Sequence, residues 1–149
     1  MAVFREIPYG RFNFLVQIND DGSGVIAGFS EVTGLDANIC VTEYRAGNYR
    51  RNTPIKVTGL THYTNIHLKR GILGSLDLYE WFDKVSKGDI DDATKDISII
   101  LLNEERDEVL RWNIYRARPV ALQGTRLEAE HCAVAIEELV LAHEGFDLS

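Results

Sequence analysis

Apolar and polar positions alternate early in the chain. Phe12, Phe14, Val16 and Ile18 fall on one side of an extended segment and Asn13, Leu15 and Gln17 on the other, which predicts a half-buried strand. The turn-rich run Asn19 to Gly24 separates it from the apolar segment Val25 to Val32, so the pair reads as a β-hairpin. Gly34 and Asp36 interrupt the pattern. A third strand is predicted from Ile39 to Tyr44, followed by the polar stretch Arg45 to Pro54 as a projecting loop or loose hairpin. The chain then returns through Ile55 to Val57, turns at Gly59, and forms another strand over Asn65 to Lys69, with Ile66 and Leu68 sharing a face.

One helix interrupts this β pattern. Leu78, Trp81, Phe82 and Val85 follow the three-and-four spacing of a single apolar stripe, with Ser75 placed to cap the start, Asp77 at the positive end of the dipole and Gly88 to terminate it. Such a helix covers a sheet face or plugs a barrel end. After the acidic connection Asp89 to Asp92, Ile97 to Asn103 and Val109 to Ala117 predict a second hairpin, ended by Pro119, which has no N–H to donate. The last strand, Cys132 to His143, is apolar on both faces. It is either central in one subunit or covered by a neighbouring one, and the pattern leaves both open.

The fold class expected is mainly β (α+β), a small β-barrel or split β-sandwich with one packed helix, in a single domain spanning 1–149. Phe12, Phe14, Trp81, Phe82 and Trp112 are expected in its core. With 149 residues, 45% of them hydrophobic, the chain has material for one such core. No apolar run approaches the roughly 20 residues of a membrane-spanning helix, and Met1 to Tyr9 lack the pattern of a signal peptide, so a soluble chain without membrane anchoring is expected. A net charge of -7 argues against sequence-specific nucleic-acid binding, which draws on Lys and Arg to release counterions. Cys40 and Cys132 stand far apart without ligand-type neighbours and read as reduced, buried thiols.

Candidate chemistry is sparse. His62, His67, His131 and His143 form no metal or acid–base motif, and Ser23 between two glycines reads as a turn rather than a nucleophile elbow. The run Asn19 to Gly22 would place Gln17 at the first position of a calcium loop and offers no closing Glu. Gly71 and Gly74 precede the helix without a phosphate-loop sequence. No catalytic residue, metal or cofactor is therefore expected. Two features point instead to contacts between subunits. Glu137 and Glu138 lie on opposite faces of an apolar strand, so at least one needs a cationic partner within the subunit or across an interface. The loop carrying Arg45, Asn48, Tyr49, Arg50 and Arg51 suits the acidic surface of an identical neighbour.

The ordered motifs resemble the phage tail tube family of contractile tails and extracellular contractile injection systems. The resemblance begins with Phe12 to Val16 and Gly28-Phe29-Ser30-Glu31-Val32-Thr33-Gly34-Leu35, and continues through Glu43-Tyr44-Arg45, Gly47, Pro54, Gly59 and Tyr63. It extends over Ile66 to Gly71, Trp81, Leu102-Asn103-Glu104, Val109, Trp112, Ala117 and Pro119, and ends with Ala135 to Glu144. It implies a non-enzymatic structural protein whose sheets join between subunits into hexameric rings that stack into a hollow tube. The implied partners are further copies, a contractile sheath outside, a baseplate hub or spike at one end, and DNA or protein cargo within. Assembly in a prokaryotic cytoplasm into a virion tail or extracellular particle is implied as well. The competing readings are a baseplate tube-initiator or hub subunit of the same fold, distinguished by copy number, and a monomeric β-barrel with a ligand-sized cavity.

Overall fold

A computed structural model describes residues 4–19 and 25–149. The turn cluster 20–24, with Ser23 and the run likened to a calcium loop, lies outside the described residues. Alternation produces strands where it was strongest. In β1 (Phe14–Asn19), Val16 is fully buried between the partly buried Phe14 and Ile18. In β6 (Ile66–Gly71), Ile66, Leu68 and Arg70 point inward in strict alternation.

The apolar segment Val25 to Val32 does not stay one strand. It forms β2 (Val25–Ala27), antiparallel to β1, and β3 (Glu31–Thr33), antiparallel to β6. Beyond β6 come α1 (Asp77–Ser86), the single helical turn α2 (Ile90–Ala93), β7 (Lys95–Leu102), β8 (Glu108–Gln123), β9 (Ile136–Ala142) and β10 (Gly145–Leu148). The hydrogen-bonded order is β2-β1-β7-β8-β9-β6-β3, with β10 also on β8.

The sixteen-residue β8 turns this ladder into two layers. Its first half pairs with β7 and β10, and its second half pairs with β9. The bend falls at Arg116, a non-glycine residue at φ 53°, whose N–H donates to Asp96 Oδ1 at 2.9 Å. Pro119 does not end the strand: it is buried opposite Leu141, next to a register shift that Ala121 completes, and a bulge is where a sheet tolerates a missing N–H. The ladder ends, β2 and β3, are joined by only residues 28–30. The result is a split sandwich without barrel closure among the described residues.

Ile97, Ile99 and Ile114 from one layer face Ile66, Leu68, Leu139 and Leu141 from the other, each fully or almost fully buried. Each side chain so removed from water contributes about 1.5–3 kcal/mol. α1 closes the core with Leu78 and Trp81, whose Nε1–H donates to the Ala93 carbonyl at 2.6 Å and so fixes the α2 turn beneath it. Gly88, at φ +89°, follows the helix end as expected, whereas Ser75 bonds with Asp77 and leaves the formal cap position to Leu76. At the β3 corner Gly34, at φ +92°, passes so close to Asn65 that a Cβ would lie 2.0 Å from its carbonyl oxygen.

Some expectations need correction, and one open alternative is decided: β9 is central, between β8 and β6, with Leu139 and Leu141 buried on one face and Val140 on the other. It begins at Ile136 rather than Cys132, and β10 follows it end to end along β8. Phe12 precedes β1 and is 72% exposed, because the ladder begins only at Phe14. Phe82 is half-buried at the flank of the helix stripe, while Trp112 packs against the core from β8. Cys40 and Cys132 are free but exposed, since one lies on a projecting hairpin and the other in the connection before β9.

Candidate functional site

The feature that stands apart from the core is a hairpin of β4 (Ala37–Tyr44) and β5 (Ile55–Tyr63), a separate two-stranded sheet. Gly59 does not turn the chain. β5 runs through it, with Gly59 and Leu60 lying where the register shifts opposite Cys40. The root is anchored by an aromatic cluster in which Tyr63 meets Phe146 edge-on at 5.2 Å and His143 at 5.7 Å. His143 accepts the Gly145 N–H at Nδ1 and donates from Nε2 to the Thr64 carbonyl at 2.8 Å.

Above that root every residue of β4, and every residue of β5 before Tyr63, is exposed. Tyr44, Ile55 and Val57 share one face through the register Tyr44↔Ile55 and Thr42↔Val57; Ile39 and Val41 lie on the other. An isolated two-stranded hairpin is marginal in water, and one with apolar side chains on both faces calls for a covering surface.

The tip holds most of the residues expected to make contacts. Asn48, Tyr49, Arg50 and Arg51 are all exposed there. Arg45 is exposed too, yet its guanidinium is committed to its own loop, donating from Nε to the Arg51 carbonyl at 3.0 Å and from Nη2 to the Tyr49 carbonyl at 3.1 Å. Arg45 therefore stiffens the tip, whereas Arg50 and Arg51 have no ion pair among the described residues.

Glu137 and Glu138 are far from this tip, on β9, and both find partners inside the subunit. Glu138 Oε1 lies 2.7 Å from His67 Nδ1, diagonally across the β6–β9 ladder. Glu137, directly opposite Arg70, accepts its Nε–H at 2.7 Å. Of the two kinds of partner the sequence left open, the fold supplies one within the subunit: the antiparallel register sets the Arg70 guanidinium against Glu137 on one face of β9 and the His67 imidazole near Glu138 on the other.

Arg70 is the residue the sequence reading passed over. Only 8% exposed, it pairs with Asp77 at the start of α1 as well as with Glu137, and so clamps the helix to the sheet; its guanidinium also lies 5.9 Å from the Phe29 ring. Its parity with Ile66 and Leu68 was the available signal that it points inward. Asp77 is held at about 2, below its ordinary 3.8, by the Arg70 hydrogen bonds first and the Ser75 hydroxyl second, against the opposing effect of burial. A carboxyl depressed in the fold stabilises it fully above the unfolded value and loses that contribution as pH falls through the folded one. Urea midpoints of the wild type and Asp77→Asn are therefore expected to differ at pH 7 and to converge as pH falls from about 4 to about 2. Because Asp77 is half exposed, solvent screening limits the difference to on the order of 1 kcal/mol.

The second surface is an open cleft of about 540 Å³ where β3 stands off from β1 and β7. Phe14, Val32, Leu101 and Trp112 form its apolar walls, with Phe12, Arg11 and Glu31 also lining it. Among the described residues no group of His, Cys, Asp and Glu side chains could hold a metal ion, and no helix is long and apolar enough to cross a membrane. The arrangement offers surfaces for docking.

Comparison with known proteins adds three findings. The profile of the family described as T4-like virus tail tube protein gp19 matches residues 10–147. Among solved structures, the chain is similar to one from the PVC sheath–tube complex of an extracellular contractile injection system in the extended state, at 27% identity and TM-score 0.84 over 97% of this chain and 93% of that one. It is also similar to a chain from the PVC sheath/tube terminator, at 27% identity and TM-score 0.83 over 97% and 98%. A third similarity is to a chain from the tube-terminating cap of the anti-feeding prophage, at 25% identity and TM-score 0.84 over 100% and 95%. No significant match is found among curated proteins.

Proposed function

Because the chain belongs to the family of T4-like virus tail tube proteins, we propose that its copies close into hexameric rings and stack into the hollow inner tube of a contractile tail or injection particle. The observation that carries this reading is the β4–β5 hairpin, an anchored but uncovered apolar element that one subunit leaves without a partner. Burying such a surface against an identical chain is heterologous, since the hairpin of one copy meets a different patch on the next. Contacts of that kind close laterally into rings and stay open axially, and repetition of a modest contact stiffens the whole.

The protein's part in injection would be mechanical. A sheath contracts outside, the tube is driven forward, and DNA or protein passes along the bore, with a baseplate hub or spike at one end. No chemical step is required of any side chain. Purified protein at high concentration is expected to show rings or tubes of uniform bore by negative-stain microscopy and a concentration-dependent mass in sedimentation. A monomer at every concentration would remove the reading.

A further inference from the structure

We infer that His143, in its neutral form, is the pin that fixes the β4–β5 hairpin to the sandwich, and that protonating its ring frees the hairpin root while the core holds. The hydrogen bonds assign the proton. The Thr64 carbonyl can only accept and the Gly145 N–H can only donate, so Nε2 carries the hydrogen and Nδ1 the free lone pair. An imidazolium donates from both nitrogens. Its Nδ1–H would point at the Gly145 N–H across the 3.2 Å that the hydrogen bond now spans.

Packing makes this contact decide where the hairpin stands. Tyr63 ends β5, and its ring lies on the bare backbone of Gly145, where a Cβ would come within 3.1 Å of it. His143 flanks both aromatic rings of the root, 5.7 Å from Tyr63 and 6.2 Å from Phe146. Gly145 and Phe146 in turn pair with Tyr115 and Ile114 of β8, so the pin ties the hairpin to the sandwich. The other bonds at the root run from Thr64 Oγ1 to the Gly34 carbonyl at 3.0 Å and from the Thr64 N–H to the Asp36 carbonyl at 3.4 Å. Both join the two legs of the hairpin to each other.

The other histidines respond in the opposite sense or stand clear. His67 lies 2.7 Å from Glu138 and His131 lies 3.0 Å from Glu128, so a charge on either ring meets a carboxylate. His62 is exposed on β5. Around His143 the titratable groups are Tyr63, stacked on the ring, Glu144, held by Arg116 at 3.1 Å, and Asp147, which accepts the Tyr115 hydroxyl at 2.7 Å. No carboxylate hydrogen-bonds the His143 ring among the described residues. Acid therefore acts against this contact in particular. The pin works within one subunit, so it stands apart from the tube reading.

Amide exchange of the full-length protein, dilute enough to stay dispersed, tests the pin at about pH 7.5 and about pH 5.5, across the range in which imidazoles gain charge. After correction for the intrinsic pH dependence of exchange, the Gly145 and Thr64 amides of the wild type are expected to lose roughly three- to tenfold in protection at the lower pH, the loss of one hydrogen bond. Core amides of β7 and β8 should change by less than about twofold. His143→Asn and His143→Gln cannot gain a proton, and each is expected to show the same protection at both pH values. Two replacements are used so that the comparison survives one of them failing to fold. His67→Gln, with His143 intact, is expected to respond like the wild type. No differential loss at the wild-type root, a loss that persists in the His143 variants, or one that disappears in His67→Gln would each overturn the pin. Because dispersed subunits are measured, any of these results leaves the tube reading standing, and a failure to form rings at high concentration leaves the pin standing.

Discussion

Replacing Ile55 and Val57 together by aspartate is expected to abolish rings and tubes while leaving the monomer folded. In the single subunit both side chains are about half exposed, so the exchange removes little intramolecular burial and shifts the monomer's stability by about 1 kcal/mol or less. In an assembly the same positions would lie under a neighbour. Each lost aliphatic side chain then forfeits about 1–1.5 kcal/mol of interface burial, and each new carboxylate must be desolvated or must hold the surface open. A loss of about 3 kcal/mol at one contact corresponds to more than a hundredfold in its equilibrium constant. Because a ring needs every contact simultaneously, the effect compounds with the number of copies. Sedimentation and negative-stain microscopy at matched concentration read the outcome. Normal assembly of the double variant would show that the hairpin is not the element that needs covering.

The strands of that hairpin were legible, but their exposure was not. Alternation over Ile39 to Tyr44 and Ile55 to Val57 announces extended chain whether or not a second layer lies against it, because periodicity reports local conformation and burial is decided by tertiary packing. The same limit left two readings open at the end of the chain. Two apolar faces over Cys132 to His143 fitted a central strand or one covered by a neighbouring subunit, and in the fold β9 is central, with Leu139, Val140 and Leu141 all buried. The helix was the easiest element to read, since Leu78, Trp81 and Val85 carry a 3.6-residue period that no strand shares. Pro119 misled because a rule about strand interiors was applied where the strand bulges between two layers. β10 was missed because Gly145 to Leu148 is too short and too mixed in polarity to carry a pattern. That at least one of Glu137 and Glu138 needs a cationic partner was visible in the sequence. Their partners were not, because only the antiparallel register of β6 and β9 brings Arg70 and His67 across from them.

That register makes Arg70 the charged side chain whose loss should be felt furthest, since it holds both β9 and the start of α1. Arg70→Met keeps much of the apolar stem in place but leaves Glu137, only 18% exposed, facing the interior without its charge partner, and frees Asp77 at the start of α1. Removing one member of a buried pair typically destabilises by about 3–5 kcal/mol, and the exposed position of Asp77 places the expectation near the lower end, about 3 kcal/mol. For a domain of this size that is a fall of roughly 1–2 M in the urea midpoint of the dilute monomer. The penalty arises from the stranded carboxylate rather than from loss of the pair as such. Arg70→Met combined with Glu137→Leu is therefore expected to recover most of the stability, since apolar replacements of similar volume can match a buried ion pair. The helix should respond separately: with Asp77 released, amide exchange in the first turn of α1 is expected to quicken in both variants, because Glu137→Leu does not restore the clamp. A double variant no more stable than Arg70→Met would mean that packing of the guanidinium on Phe29 and its surroundings, and not charge balance, holds this corner of the fold together.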